Sequence, residues 1–428
     1  MESVRSLRSR LSGGTYDPLL EKLYGTAGIP GAKERISSVL NCFVRQFSLS
    51  EETPVTLCSA PGRTEIGGNH TDHQLGRVLT GSVDLDALAC AALNGSHLIR
   101  IYSEGHGVTE VDLSTLVPVP SEVNTTPALV RGMAAAAAER GYAVSGFDAY
   151  ITSDVPGGSG LSSSACFEVL LGVVINHLFC GDALSLEEIA KIGQTTENVF
   201  FGKPSGLMDQ MGCALGGIVS IDFKEKEHPQ IHQVSVDFAS AGYALCIIDS
   251  GADHADLTDD YAGIPHEMGS VAGYFGKSVL SEVSEEAFYE SLPAIRALMG
   301  DRAVLRAAHY YADCKKASDE VAALEAGDFD EFLRLVTASG HSSFEDLQNV
   351  STFRDPKDQP VAIALAAAAH ALRGKGAYRV HGGGFAGTIQ AFVPLEMVES
   401  FRSEVDALLG SGSCKVTAIR PIGGCVIA

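Results

Sequence analysis

A loop rich in glycine and serine leads into an amphipathic helix in the first half of the chain. The loop, residues 156–165, contains three glycines and four serines. Backbone N–H groups of such a loop can approach an anion, the N-terminus of the next helix adds free N–H donors, and the hydroxyls can reach a metal ion. The segment predicts a phosphate-binding loop, although a flexible connection before a helix would have the same composition.

Two carboxylates, Glu197 and Asp209, stand twelve residues apart with a Pro-Ser-Gly turn between them. Carboxylates separated in this way can do different jobs. One could hold Mg²⁺ while the other lies beside a substrate hydroxyl, as phosphoryl transfer requires. Taken alone, an aspartate such as Asp209 is more often a helix cap than a base.

A third segment, residues 61–76, places cation, amide, imidazole and carboxylate side chains in a glycine-punctuated loop, called the polar loop below. It could hold a hydroxyl-rich ligand, form a metal site or be a plain surface turn. The spacing of its histidines and carboxylates along the chain matches no recognised zinc site. A second glycine run, residues 382–384, by itself supports only a close approach of the backbone.

These segments must be positioned by a framework of strands and helices. The spacing of apolar residues predicts helices at residues 18–24, 36–44, 128–138, 164–179, 187–201, 285–339 and 359–373. It predicts strands at residues 55–60, 83–92, 98–102, 149–151, 218–223, 244–249, 378–380 and 388–393. Ser185 with Glu188 three residues later predicts a capping box. The two halves are expected to pack closely, with a ligand-binding cleft between them.

In this order, the segments resemble the galactokinase branch of the GHMP small-molecule kinases over nearly the whole chain. The resemblance is carried by residues 62–72, 156–165, 197–210, 341–351 and 382–385. It implies an α/β (α+β) fold with two lobes and an active site in the cleft between them. It also implies an N-terminal helical extension at 1–50, a first lobe at 51–230 and a second lobe at 231–428.

Carried over position by position, the resemblance implies a role for each site residue. Asp209 would be the base that faces the anomeric hydroxyl, and Arg63 would neutralise Asp209 and the attacking oxygen. Ser164 and Glu197 would bind Mg²⁺. The ATP phosphates would be wrapped by Gly158, Ser159, Gly160, Leu161, Ser162, Ser163 and Ser164. The sugar would be contacted by Asn69, His70, Thr71, Asp72, Gly206 and Tyr261.

The departures from the family pattern concern the sugar more than the phosphoryl transfer. Most galactokinases have Glu where this chain has Asn69, Tyr where it has His73, and Asn where it has Glu65. The resemblance favours an ATP-dependent kinase that converts galactose to galactose 1-phosphate. An uncharged side chain at position 69 would tolerate an acid at sugar C6, so galacturonate is an alternative substrate, as are N-acetylgalactosamine and L-arabinose. A sugar-sensing regulator that transfers nothing is the alternative from another class, and the intact phosphate loop and catalytic residues argue against it.

Composition and charge exclude several classes of function. Of the 428 residues, 31 are Lys or Arg and 53 are Asp or Glu, which gives a formal charge of −22. This disfavours binding to nucleic acid or to an anionic membrane. The apolar stretch at 361–372 is well short of the ~20 residues of a membrane span. Ten scattered cysteines and the lack of an apolar signal segment favour the cytoplasm. We therefore expect a cytoplasmic enzyme that binds a small sugar and ATP; its oligomeric state stays open, a monomer included.

Overall fold

The computed structural model describes residues 1–428 except Ser159, Pro204, residues 252–256 and Phe353. Its strands form two sheets, of nine and four strands. The strands are β1 (Glu2–Ser3), β2 (Pro54–Gly67), β3 (Arg77–Leu93), β4 (Leu98–Ser103), β5 (Gly107–Asp112), β6 (Phe147–Ser153), β7 (Ile218–Asp222), β8 (Gln230–Val234), β9 (Tyr243–Asp249), β10 (Ala377–Val380), β11 (Thr388–Pro394), β12 (Cys414–Thr417) and β13 (Cys425–Val426).

The helices are distributed over the whole described chain. They are α1 (Val4–Ser12), α2 (Asp17–Gln46), α3 (Thr126–Glu139), α4 (Ser163–Ile175), α5 (Leu186–Thr195), α6 (Met208–Leu215), α7 (Thr258–Tyr274), α8 (Glu285–Met299), α9 (Asp301–Ala326), α10 (Phe329–Ser342), α11 (Pro360–Leu372) and α12 (Val398–Leu409). The predicted helical block at 285–339 is thus three helices, because Gly300 and Gly327 interrupt it with positive φ angles of 86° and 69°.

The nine-stranded sheet carries the polar loop. Its main path runs β1-β2-β3-β6-β4-β5, with β13 beside β2, and β7 and β8 continuing from β3. Residues 61–67 belong to β2, so the first half of the predicted loop is strand. The pairing of β2 with β3 shifts register between Pro61 and Arg63 and again between Glu65 and Gly67. Such irregularities bend a strand and re-aim its side chains, and here they lie on either side of Arg63, Thr64 and Glu65.

Helices α1 and α2 form the N-terminal extension and pack against one face of the first sheet. Their apolar residues, including Leu20, Ile36 and Phe43, share a buried cluster with residues of β2, β3 and β6. Arg35 of α2 also reaches the buried carboxylate of Asp86, with Nη1 2.5 Å from Oδ1. The extension is therefore joined to the sheet by apolar contacts and by a buried ion pair.

The four-stranded sheet has the order β10-β11-β9-β12, with antiparallel pairs throughout. One buried apolar cluster runs from the first sheet to the second and includes Ile66, Val78, Ile247 and Phe392. The two sheets thus share a continuous core. The last residues return to the first sheet, since Val426 of β13 pairs with Cys58 of β2.

Helix α4 lies in the core below the phosphate loop. The segment Ser163–Cys180 is long and apolar enough to cross a membrane, but 67% of it is buried inside the protein. Its apolar residues, among them Val169, Leu170 and Leu171, belong to the cluster that spans the two sheets. Its apolar character therefore has a packing explanation, and the helix gives the loop at its N-terminus a fixed base.

Candidate active site

Arg63 of β2 and Asp209 of α6 form an ion pair. Arg63 Nε and Nη2 lie 2.9 Å and 2.7 Å from Asp209 Oδ1. The guanidinium is buried, whereas 35% of the Asp209 side chain is exposed. Burial opposes ionisation of Asp209, but Arg63 and the Ser162 hydroxyl outweigh it and hold the pKa of this carboxyl below its ordinary value. Asp209 is an ionised acceptor in the first turn of α6, where Leu207 is the cap residue.

The phosphate loop is held against this ion pair by three hydrogen bonds. Arg63 N donates to Leu161 O at 3.1 Å, and Arg63 Nη1 donates to Gly160 O. Ser162 Oγ donates to Asp209 Oδ2 at 2.6 Å. The loop, the arginine and the carboxylate thus form one connected group, although they come from three distant parts of the chain.

The backbone of the phosphate loop turns sharply into α4. Gly158 and Gly160 have φ angles of 71° and 67°, and Ser162, the cap residue of α4, has a φ of 57°. Glycine adopts such angles without strain, and the resulting turn places the loop over the free N–H groups at the start of α4. Ser159 lies outside the described residues, so its expected contact with the phosphates stays a prediction.

Ser164 and Glu197 lie together beside the phosphate loop. Ser164 Oγ is 3.3 Å from Glu197 Oε1, and Lys203 Nζ is 2.9 Å from the same oxygen. The other oxygen of Glu197 accepts a hydrogen bond from Gln210 Nε2 at 3.0 Å. Lys203 is not among the predicted site residues, and the only signal for it in the sequence is a cation between the two carboxylates. Glu197 is thus buried and held at both oxygens.

The donor set around Glu197 fits Mg²⁺. One carboxylate oxygen and one hydroxyl oxygen are hard donors, and Mg²⁺ in phosphoryl-transfer sites commonly takes one or two carboxylates while phosphates and water fill its other positions. Within the described residues, no group of three or more His, Cys, Asp or Glu side chains is placed to hold a metal ion. The protein's share of a magnesium site would be these two side chains.

Asp72 brings a second carboxylate close to Asp209. Asp72 Oδ1 accepts a hydrogen bond from His73 N at 2.9 Å. Burial and the negative charge of Asp209 raise the pKa of Asp72 to about 6. Gly206 packs directly against this carboxylate, and a Cβ atom at position 206 would overlap it. The structure therefore brings together three of the predicted residues, Asp72, Gly206 and Asp209.

Asn69 does not face the cleft. The residue is fully buried, and its amide group is saturated with hydrogen bonds. Its Nδ2 donates to Glu65 Oε1 and Gly382 O at 2.7 Å each, and its Oδ1 accepts from Asn349 at 2.8 Å and Ser343 at 3.1 Å. No donor or acceptor is left for a ligand. The structure thus places the Asn69 side chain inside the protein, and its expected contact with the sugar stays a prediction.

Thr71 also has a structural role here. It is fully buried, and its hydroxyl lies 2.9 Å from Gly68 O and 2.6 Å from Arg77 O. These contacts close the turn between β2 and β3. Thr71 therefore stabilises the polar loop from its buried side, and its expected contact with the sugar stays a prediction.

His70 and Tyr261 contact the glycine run from two sides. His70 Nε2 lies 3.0 Å from Gly383 O, so this nitrogen carries the proton, and burial lowers the pKa of the ring to about 4. The Tyr261 hydroxyl donates to Gly384 O at 2.8 Å. Its ring packs edge-on against Phe385, with centroids 5.4 Å apart. His70 of the polar loop and Tyr261 of α7 therefore both contact the glycine run that precedes β11.

The segment 341–343 divides between the interior and another surface. Ser343 points to Asn69, as described above, whereas His341 lines a cavity of about 900 Å³ with Arg334, Lys375 and Tyr378. This cavity contains none of the predicted catalytic or metal-binding residues. It is separate from the site formed by Arg63 and Asp209.

Comparison with known proteins identifies the family. A galactokinase of Glaesserella parasuis is 33% identical over 350 residues, which are 80% of this chain and 86% of that protein. This chain belongs to the galactokinase family. A galactokinase of Streptomyces coelicolor is 28% identical over 373 residues, covering 86% of this chain and 92% of the relative. The sequence resemblance to this enzyme family is thereby confirmed.

Family profiles and solved structures agree with this membership. Residues 41–93 match the galactokinase galactose-binding signature, and residues 128–217 match the GHMP kinases N terminal domain. The crystal structure of Lactococcus lactis galactokinase complexed with galactose has a TM-score of 0.77 and 26% identity, covering 91% of this chain and 99% of that one. A Methanococcus jannaschii mevalonate kinase, at 15% identity and a TM-score of 0.60, shares the fold. The predicted GHMP kinase fold is confirmed.

Proposed function

We propose that this galactokinase family member transfers the γ-phosphoryl group of ATP to the anomeric hydroxyl of galactose and releases ADP and galactose 1-phosphate. The observation that carries the proposal is the ionised carboxylate of Asp209, paired with Arg63 and connected to the phosphate loop through Ser162. An acceptor for a hydroxyl proton thus lies beside the predicted phosphate site. The proposal includes the expected cytoplasmic location, where ATP is available.

Asp209 orients the anomeric hydroxyl and receives its proton. The carboxylate is ionised at neutral pH, so it accepts a hydrogen bond from the hydroxyl. As the bond from the sugar oxygen to the γ-phosphorus forms and the bond to the β-phosphate oxygen breaks, the hydroxyl becomes more acidic and its proton passes to Asp209. A low carboxyl pKa favours late transfer of this proton. Arg63 offsets negative charge on both the carboxylate and the attacking oxygen.

The phosphate loop and the Glu197 cluster bind the nucleotide phosphates. The backbone N–H groups of the loop and the start of α4 direct positive partial charge at the phosphates. Ser164 and Glu197 would hold Mg²⁺, and the bound ion would neutralise part of the negative charge of the phosphates. Lys203 adds a side-chain cation at the same place. Local charges of this kind are needed because the whole chain carries a formal charge of −22.

Galactose fits the charges of the cleft better than galacturonate. The argument for an acidic sugar was the loss of a carboxylate at position 69, but Asn69 is buried and fully bonded. The carboxylates of Asp72 and Asp209 line the candidate sugar site, and Arg63 is already paired with one of them. A sugar carboxylate would be repelled by Asp72 and Asp209, and the site residues described above offer no unpaired cation to offset this repulsion.

A panel of sugars offered with ATP and Mg²⁺ tests the proposal. The panel contains galactose, galacturonate, N-acetylgalactosamine and L-arabinose, and ADP release is followed with product analysis by ³¹P NMR. We expect the highest kcat/KM for galactose and a phosphate on its anomeric oxygen. Undetectable turnover of galactose beside rapid turnover of another sugar would overturn the substrate assignment, and no turnover of any sugar would favour a regulator.

A further inference from the structure

His381 occupies a junction of three segments that the proposed reaction uses. The residue follows β10, immediately before the glycine run, and is 1% exposed. Its Nε2 lies 3.1 Å from both Glu65 N and Thr64 Oγ1 of β2. Its Nδ1 lies 3.0 Å from Thr388 Oγ1 at the start of β11. The imidazole thus joins the second sheet to the two residues that follow Arg63.

The hydrogen bonds determine the protonation of this ring. The backbone N–H of Glu65 can only donate, so Nε2 of His381 must accept. The single proton of the neutral ring is then on Nδ1, which donates to Thr388 Oγ1. A ring protonated at both nitrogens would lose the bond to Glu65, and burial together with the charges of Arg63 and Arg379 disfavours that form. His381 therefore accepts a hydrogen bond from Glu65 N at Nε2 and donates one to Thr388 Oγ1 at Nδ1.

The phosphate loop packs against the same His381 ring and its partner Thr388. A Cβ atom at Gly160 would lie 2.6 Å from Thr388 Oγ1 and 2.8 Å from His381 Nδ1. The loop backbone at Gly160 thus packs directly against the His381–Thr388 pair. The carbonyl of Gly160 is also the acceptor for Arg63 Nη1. His381 therefore packs against the acceptor residue of this hydrogen bond and contacts the two residues that follow its donor.

We propose that His381 is a positioning residue that fixes the phosphate loop relative to Arg63 across the boundary of the two lobes. The inference rests on the proposed function, since the loop is taken to hold ATP and Arg63 to support the transfer. In this role, His381 does not contact the substrate. It acts by keeping the backbone of residues 64–65 and of Gly160 in one geometry, and phosphoryl transfer depends on such alignment.

Three variants and one control test this role. His381→Leu removes the hydrogen bonds of both ring nitrogens, His381→Gln keeps an acceptor within reach of Glu65 N, and Thr388→Val removes the partner of Nδ1. Val405→Ala, a core substitution in α12 of the second lobe, serves as the control for stability loss. Steady-state kinetics give kcat and both KM values, calorimetric titration with Mg²⁺-ADP gives nucleotide affinity, and thermal unfolding gives Tm.

We expect His381→Leu to lower kcat about tenfold or more and to weaken Mg²⁺-ADP binding about fivefold, with the KM for galactose unchanged. His381→Gln should recover most of this loss, and Thr388→Val should lie between the two. In combination with Arg63→Lys, the effect of His381→Leu should be smaller than in the wild-type background, because both residues act on one alignment.

Two results would overturn the role of His381. One is that His381→Leu loses no more kcat or nucleotide affinity than Val405→Ala at equal loss of Tm. The other is full additivity of His381→Leu with Arg63→Lys. If the wild-type protein does not phosphorylate galactose, the proposed function fails, while the Mg²⁺-ADP titration of the same variants still decides whether His381 positions the phosphate loop.

Discussion

Arg63 Nε and Nη2 contact the same oxygen of Asp209, at 2.9 Å and 2.7 Å, and leave its other oxygen to the Ser162 hydroxyl. The two residues are 146 positions apart in the chain. This arrangement fixes the plane of the carboxylate and keeps it ionised. The proposed reaction depends on it, because only an ionised, oriented carboxylate can accept the proton of the sugar hydroxyl.

Removal of the Arg63 charge should shift the pH dependence of activity. In Arg63→Gln, burial raises the pKa of Asp209 without the opposing charge of Arg63, so the acidic limb of kcat/KM should move to higher pH. Arg63→Lys keeps a positive charge and should move this limb less. Both variants should lose about 100-fold or more in kcat. An acidic limb at the wild-type pH in Arg63→Gln would contradict the coupling of the two residues.

Loss of the Glu197 carboxylate should weaken the response to magnesium. Glu197→Gln removes a charged oxygen donor beside Ser164, so the Mg²⁺ concentration for half-maximal activity should rise about tenfold or more. Direct binding of Mn²⁺, measured by electron paramagnetic resonance with ADP present, should weaken in parallel. Glu331→Gln, at an exposed ion pair with Arg334, is the control and should change neither quantity.

Gly206→Ala should impair the sugar site selectively. A Cβ atom at position 206 overlaps the Asp72 carboxylate, so Asp72 must rotate away from Asp209. We expect the KM for galactose to rise about tenfold, while the KM for ATP stays within twofold. Gly31→Ala in α2, where a Cβ atom meets nothing within 4 Å, is the matched control. Equal changes of both KM values would show that the site is disturbed as a whole.

Asn69→Glu should destabilise the protein without improving the use of galactose. The change removes the donors to Glu65 and Gly382 O and places a second carboxyl beside Glu65, whose pKa burial already raises to about 7. We expect a loss of about 3 kcal/mol in the free energy of unfolding. Glu65→Asn in the same chain should restore part of it, because Arg379 could then pair with position 69. A stable single variant with lower KM would contradict the buried placement of Asn69.

The parts of the fold that depend on local sequence were predictable. The capping box of Ser185 and Glu188 is present at the start of α5, as its spacing predicts. Helix α11 (Pro360–Leu372) lies within the predicted range 359–373. In both cases, the information is contained in a few neighbouring residues, and local hydrogen bonding or apolar spacing decides the structure.

The arrangement of the site could be predicted only in part, because it depends on distant contacts. The family resemblance implied that Arg63 neutralises Asp209, and the two side chains do meet, but no spacing within the chain predicts this contact without the resemblance. The burial of Asn69 results from four partners on the polar loop, the glycine run and residues 343 and 349. Lys203 had no motif of its own. The contacts of Arg63 with Asp209 and of Lys203 with Glu197 form within the first lobe, whereas those of Asn69 with Gly382, Ser343 and Asn349 join the two lobes.

The most direct test of the proposed function is turnover of galactose and ATP by the wild-type protein and by Asp209→Asn, with ³¹P NMR of the product and calorimetric titration with Mg²⁺-ADP. The wild-type protein should form one galactose 1-phosphate for each ADP. Asp209→Asn should bind Mg²⁺-ADP with an affinity close to that of the wild-type protein and lose about 1000-fold or more in kcat. Turnover by this variant near the wild-type rate, or a product phosphorylated at another oxygen, would contradict the role of Asp209.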